Sequence, residues 1–386
     1  MKLSIPNMTA QAHSEKLSHL IQQEITESGG FITFARFMEL ALYTPELGYY
    51  SAEKPLFGKG GDFITAPEIS PLFAQCVAQQ CKQILNNLGK GDILEIGAGT
   101  GIFAKDLLLE LEHVGSLPEQ YFILEISAGL CARQKKLLSE HCPHLLSRIH
   151  WLNELPAAVN GIVIANEVLD AMPVHCFSIS NGEIKERCVT WDKDHFTWLL
   201  RPPTPAILEN MGWILEKEIF PEKYFSEINL MIPGWINAIA SSLNKGIILL
   251  FDYGYGRAEY YQAERGMGTL MCYYQHHRHD DPLQLVGLQD ITAHVDFTLV
   301  VESACAAGCA LAGYTAQALF LMHCGLLELA KKEEGSTIAS FHQAQAIKKL
   351  TLPSQMGELI KVMALSKNYS QLLCGFPLPD RRRDLG

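Results

Sequence analysis

The chain has 386 residues, 48% of them apolar, and carries a formal net charge of −11 from 42 acidic and 31 basic side chains. That apolar share excludes a disordered chain, and the length holds one large domain or two ordinary ones, with ample core either way. The negative balance argues against a nucleic-acid partner held through its phosphates.

Residues 12–28 read as an amphipathic helix closed by Gly29-Gly30, and residues 33–43 as a second helix that stops before Pro45. The aromatic segment Gly48-Tyr49-Tyr50 precedes an unusual run from Gly58 to Pro71. Ser70 and Pro71 form a good cap and first turn for a helix reaching about Leu88. Thr65, Glu68 and Ser70 therefore have two readings, turn and capping chemistry or a cover over a bound cofactor. From Asp92 the pattern alternates strand and helix, as in βαβ units. Strands are expected at 92–96, 121–126, 149–152 and 161–165, with helices at 101–112 and 128–141.

Beyond Val174 this rhythm breaks. Residues 177–180 and 183–190 flank Asn181-Gly182, which suits a type I′ hairpin turn, and 195–200 is a third strand of the same small sheet. The core pattern resumes with a helix at 232–243 and a fifth strand at 246–252. A histidine-rich polar loop (His276, His277, His279) follows, then a sixth strand at 290–297 and a seventh at 318–322, with helices filling most of the rest. The apolar region 304–327 contains His323 and is broken by small residues, so it fits a buried helix and strand rather than a membrane span. Eleven cysteines without a C-x-x-C pair read as reduced, buried thiols rather than a zinc site. The first residues form neither a signal nor a transit peptide, which points to a cytoplasmic protein.

The whole chain is organised around Glu95-x-Gly97-x-Gly99-x-Gly101 at the end of the first core strand. Closely spaced glycines let backbone pass against a ligand with no Cβ in the way. The dinucleotide pattern G-x-G-x-x-G fails because its third glycine position is Ile102, and no Gly-Lys-Ser/Thr of a P-loop follows. That disfavours a nicotinamide-dependent oxidoreductase. The spacing is that of the loop in class I S-adenosylmethionine methyltransferases, at the carboxyl end of a strand where open α/β sheets bind ligands. Glu125, ending the second strand, offers two acceptors to two ribose hydroxyls. Glu95 is directed toward the ammonium of the cofactor's methionine. After the fourth strand, Asn166, Glu167 and Asp170 occupy the expected substrate side, and the two acids share a face if a helix starts there. Paired carboxylates grip a guanidinium bidentately and hold its charge away from an attacking nitrogen. His294 is a candidate proton acceptor and Asp296 a neighbour of it.

The stretches Gly60–Ser70, Glu95–Gly101, Asn166–Pro173, Asp252-Tyr253-Gly254 and Thr292–Phe297 together resemble the MidA-like methyltransferases. The mitochondrial member of that family is a respiratory complex I assembly factor and protein arginine methyltransferase. The resemblance implies a Rossmann-like class I methyltransferase fold, α/β, with a seven-stranded sheet, an N-terminal helical extension and an inserted antiparallel β subdomain. The expected layout is 1–90 as the extension with an active-site cover, 91–173 and 230–325 as the cofactor-binding core, 174–229 as the insert, and 326–386 as C-terminal helices and tail. It further implies S-adenosyl-L-methionine as cofactor, contacts at Gly97, Gly99, Gly101 and Glu125, and Asn166 and Glu167 beside the transferred methyl. The implied partner is a protein substrate, a respiratory NADH dehydrogenase subunit, and the lack of a transit peptide points to a bacterial homologue. A chaperone that keeps the fold without catalysis, and a methyltransferase acting on another protein or small-molecule nitrogen, are the alternatives.

Overall fold

Apolar runs bounded by glycine become the buried strands of the main sheet. The computed structural model describes residues 6–51, 64–217, 220–221, 223–332 and 337–385. The first part of the distinctive motif, Gly58 to Phe63, lies outside those residues. The chain divides into two compact units, one of Ile64–Val168, Ile232–Gly256 and Asp296–Gly386, the other of Met1–Phe63, Leu169–Met231 and Arg257–Val295.

The first unit holds β1 (Asp92–Ile96), β2 (Tyr121–Leu124), β3 (Ile149–Leu152), β4 (Val159–Asn166), β5 (Leu243–Tyr255), β6 (Ala310–Ala316) and β7 (Ile360–Lys367). Their order along the sheet is β6-β7-β5-β4-β1-β2-β3, and a two-residue strand ending at Asp296 pairs with β5 off that path, so the expected Rossmann-like sheet is present with eight strands where seven were expected. β1 to β5 are parallel, and β7 runs antiparallel to both β5 and β6. Residues 246–252 of β5 are all buried, as expected of a strand covered on both faces. Helix Pro71–Leu88 starts where Ser70 Oγ accepts from Leu72 N at 3.2 Å. It buries Phe73, Cys76, Val77, Cys81 and Ile84 in one core with Phe103 and Leu107 of helix Ile102–His113 and with Ile93, Ile162 and Leu249 of the sheet. Each such side chain removed from water contributes about 1.5–3 kcal/mol.

In the second unit, helices Met8–Glu27 and Phe34–Tyr43 are capped by Asn7 and Thr33. Strand Glu183–Asp192 pairs with Ile32–Thr33, His175–Ser180 and His195–Arg201, and His175–Ser180 pairs on its other edge with Tyr224–Ile228. Asn181 and Gly182 have φ of 51° and 75°, the two left-handed positions a type I′ turn requires. Phe34 and Phe37 pack against Trp198 and Phe196 at ring distances of 5.1 and 5.3 Å.

Three expectations fail. Asp290–Thr292 pairs with Met271–Tyr274, which also pairs with His277–His279, so most of the expected sixth strand makes a separate three-stranded sheet; only a two-residue strand ending at Asp296 joins the core sheet, and Phe297 opens a helix. The expected seventh strand is the helix Gln317–His323, with Phe320 and Leu321 buried and Leu319 and Met322 exposed. A short apolar run does not itself distinguish a strand from a buried helix. The strands that finish the sheet are β6 and β7, and β7 falls where only helices and tail were expected. No described helix is long and apolar enough to cross a membrane.

Candidate active site

β1 ends at the glycine loop, and Gly97, Gly99 and Gly101 have φ of 69°, 53° and 84°. An L side chain rarely adopts that region. A Cβ on Gly97 would stand 3.0 Å from Val168 Cγ2, and one on Gly101 would stand 3.2 Å from Gln134 Cγ. The loop therefore needs glycine for its bend and for space, and Gly101 opens the following helix. Two residues before Gly97, Glu95 is buried and accepts from Tyr121 OH at 2.7 Å. Burial pushes its carboxyl up to about 8, with the Glu125 charge adding to the rise and the Tyr121 bond opposing it.

Glu125 follows β2. Its Oε1 accepts from Ser127 N and its Oε2 from Gln134 Nε2, both at 2.9 Å. Gln134 is fully buried; its Nε2 also donates to Gly99 O at 2.9 Å, and its Oε1 accepts from Trp151 Nε1 at 3.1 Å. One amide thus ties the glycine loop to the acid after β2. Burial raises the Glu125 carboxyl above its ordinary value, and these bonds oppose the rise.

At the end of β4, Glu167 has φ 51°, an unusual conformation for a glutamate. Glu167 N donates to Phe251 O at 2.8 Å, and Val168 N donates to Asp252 Oδ2 at 3.2 Å. The fully buried Asp252 also accepts from Tyr253 N at 2.9 Å. These bonds over-determine the bend and fix where the Glu167 carboxylate stands. Its Oε1 accepts from Asn166 Nδ2 at 3.3 Å and Ala66 N at 3.4 Å. Among the described residues, the buried Asn166 Oδ1 has no hydrogen-bond partner. The turn Thr65–Ser70 meets both sides, because Thr100 Oγ1 donates to Glu68 Oε1 at 2.5 Å.

The predicted residues Thr65, Glu68, Ser70, Glu95, Gly97, Gly99, Gly101, Glu125, Asn166 and Glu167 all belong to one unit. Asp170 and His294 belong to the other, where Ala293 N donates to Asp170 O at 2.9 Å and His294 N donates to Thr269 Oγ1 at 2.8 Å. No helix begins at Asn166; the chain turns there, so the helical spacing expected to align Glu167 with Asp170 is not formed. Ser70 serves as the cap of helix Pro71–Leu88, and Thr65 makes no side-chain cap bond. Sequence reasoning missed Gln134 and Tyr121 and left Asp252 without a role. Gln134 was detectable, since it interrupts the buried stripe of Leu130 and Leu138 at intervals of four.

Residues 74–315 match the model of a family described as S-adenosyl-L-methionine-dependent methyltransferase. The chain belongs to this family. The methyltransferase is 39% identical to a Burkholderia thailandensis protein whose crystal structure holds S-adenosyl-homocysteine, covering 99% of this chain and 100% of that one with a TM-score of 0.95. It is also similar to the mitochondrial protein arginine methyltransferase NDUFAF7 of Rattus norvegicus, 27% identical over 383 residues, 90% of this chain and 84% of the relative. The Caenorhabditis elegans homologue of that protein is 28% identical over 322 residues, 74% of this chain and 72% of the relative. The cofactor of the methyltransferase is accordingly S-adenosylmethionine. The residues present fit it, with a loop that side chains would fill, an acid after β2 offering two acceptors, and at the end of β4 an amide oxygen without a partner among the described residues.

Glu95 gives the site a pH signature. A carboxyl raised from about 4.5 to about 8 binds its proton more tightly folded than unfolded, so its contribution to stability falls as pH rises through that window. The ligand-free melting temperature of the methyltransferase, relative to that of Glu95→Gln, is expected to drop between about pH 5 and 8 and then level off. Scanning calorimetry on both proteins across pH 5–9 measures this, and parallel curves would refute it.

Proposed function

We propose that this methyltransferase modifies arginine nitrogen in a protein substrate and, following the family resemblance, that the substrate is a subunit of a respiratory NADH dehydrogenase. The observation that carries the reading is the pair Asn166 and Glu167 after β4, with the Glu167 backbone locked at positive φ and the Asn166 Oδ1 unpartnered among the described residues. The Rattus norvegicus and Caenorhabditis elegans relatives, named as protein arginine methyltransferases, support the same acceptor.

S-adenosylmethionine supplies an electrophilic methyl when bound. Gly97, Gly99 and Gly101 would admit its amino-acid end, and Glu125 would accept from its ribose hydroxyls. The Glu167 carboxylate, whose Oε1 already accepts from Asn166 Nδ2 and Ala66 N, accepts from a guanidinium at its remaining capacity, which Asn166 Oδ1 complements with a further acceptor. That grip draws the positive charge toward the carboxylate and leaves the remaining nitrogen richer in electrons and aligned. Asp252, holding the turn, acts through Glu167 as a positioning residue.

The test is incubation with a labelled methyl donor and a lysate of a strain lacking the protein, followed by acid hydrolysis of the labelled band. Label is expected in methylarginine. Label confined to methyllysine, or to small molecules, would remove the arginine assignment while leaving the methyltransferase intact.

A further inference from the structure

Within the unit of Met1–Phe63, Leu169–Met231 and Arg257–Val295, a groove of about 430 Å³ is lined by helix Met8–Glu27, the hairpin strands Glu183–Asp192 and His195–Arg201, and residues 281–286. It shares no residue with the cofactor site. Its aromatic surface is Trp191, Phe196 and Trp198, and its charged side chains are Asp194 and Asp281, with neither lysine nor arginine in the lining. Asp194 is 92% exposed and keeps one oxygen beyond its bond to His195 Nδ1. Asp281 is also exposed.

The third wall is stiffened. The bulky Leu285 has φ 50°, a conformation that persists only when its surroundings over-determine it. The buried Gln289 does so, its Nε2 donating to the carbonyls of Asp281, Pro282 and Gln284 at 3.3, 3.1 and 2.7 Å. Ser14 Oγ donates to Val286 O at 2.7 Å and ties the same wall to the first helix. Within the chain Arg187 and Phe34 already flank the Trp198 ring, at 4.0 and 5.1 Å from its centre, and Phe196 is buried, so half-buried Trp191 is the indole left to a ligand beside the two acids. Cations over indole, paired with exposed carboxylates, are bound by both terms together.

We infer that this groove docks an arginine-bearing segment of the polypeptide substrate, apart from the arginine that is methylated. The inference rests on the arginine reading of the cofactor site and adds a second point of attachment for the same chain. A tethered segment raises the effective concentration of the reacting residue, so the groove acts on KM for long substrates.

The experiment uses a fluorescein-labelled (Gly-Arg)₆ peptide, with (Gly-Glu)₆ as control, and follows anisotropy with the full-length protein. Both acids are exposed, so the variants Asp194→Asn/Asp281→Asn and Asp194→Lys/Asp281→Lys are expected to fold, which S-adenosyl-homocysteine binding by calorimetry checks. The expected result is binding of the basic peptide alone, weakened about tenfold by charge reversal and less by neutralisation. Equal affinity in wild type and charge-reversed protein, no binding by wild type, or equal binding of the acidic peptide overturns the groove. Arginine methylation at unchanged KM in the charge-reversed protein overturns it too, while sparing the arginine reading. Groove-dependent binding without methylation of any arginine sinks the arginine reading and leaves the docking site standing.

Discussion

Glu167→Gln is expected to lower methyl transfer by about 10²- to 10³-fold while binding S-adenosyl-homocysteine as tightly as wild type. The amide keeps the size and one acceptor of the carboxylate but loses the charge that the proposed guanidinium would meet. Its backbone remains held by Phe251 O and, one residue on, by Asp252, so the bend at φ 51° survives the change. The loss should therefore fall in kcat, measured with the labelled donor under saturating cofactor. The same variant separates a catalyst from a chaperone that merely keeps the fold. A chaperone rescues complex assembly in a deletion strain when Glu167 is replaced, and an enzyme whose product is required does not. Turnover within a factor of about three of wild type would detach Glu167 from the chemistry.

The second large effect belongs to Glu125. Replacing it by Ala removes the two acceptors proposed for the ribose hydroxyls and the partner of Gln134 Nε2, and on that proposal cofactor affinity is expected to fall about 100-fold or more. That figure follows from two hydrogen bonds to a charged group at about 1.5–3 kcal/mol each. Stability of the ligand-free protein should change little, because burial already raises this carboxyl and its removal relieves that desolvation. The two halves are read together by following the melting temperature with and without S-adenosyl-homocysteine. Wild type should gain stability in proportion to ligand excess, and Glu125→Ala should gain almost none. An unchanged affinity would mean that Glu125 holds only the loop.

Much of this site was legible because its chemistry is local in sequence. Glycines at alternate positions after a buried strand, and an acid closing the next strand, each announce themselves within a few residues. The bend at Glu167 was not legible, because alignment of Glu167 with Asp170 assumed a helical turn that the positive φ at Glu167 precludes. Gln134 was hidden by its setting: a glutamine within an apolar stripe reads as tolerated until the loop carbonyl of Gly99 is seen beside it. The same limit governed the sheet. β6 has Ala at three of its seven positions and Gly at a fourth, which weakens its strand signal, and Gly313 lies so close to Phe376 that a Cβ would stand 2.4 Å from its ring. β7 is a short apolar run flanked by helical patterns, and its partners lie far away in sequence.

The position of β7 between β5 and β6 has a consequence for synthesis. As the nascent chain leaves the ribosome, β5 emerges with one edge open, and β6 cannot join it until the interposed strand arrives. The unfinished edge is the kind that captures foreign strands. Premature termination ahead of Ile360 would therefore leave a template for aggregation in place of a slightly shortened enzyme.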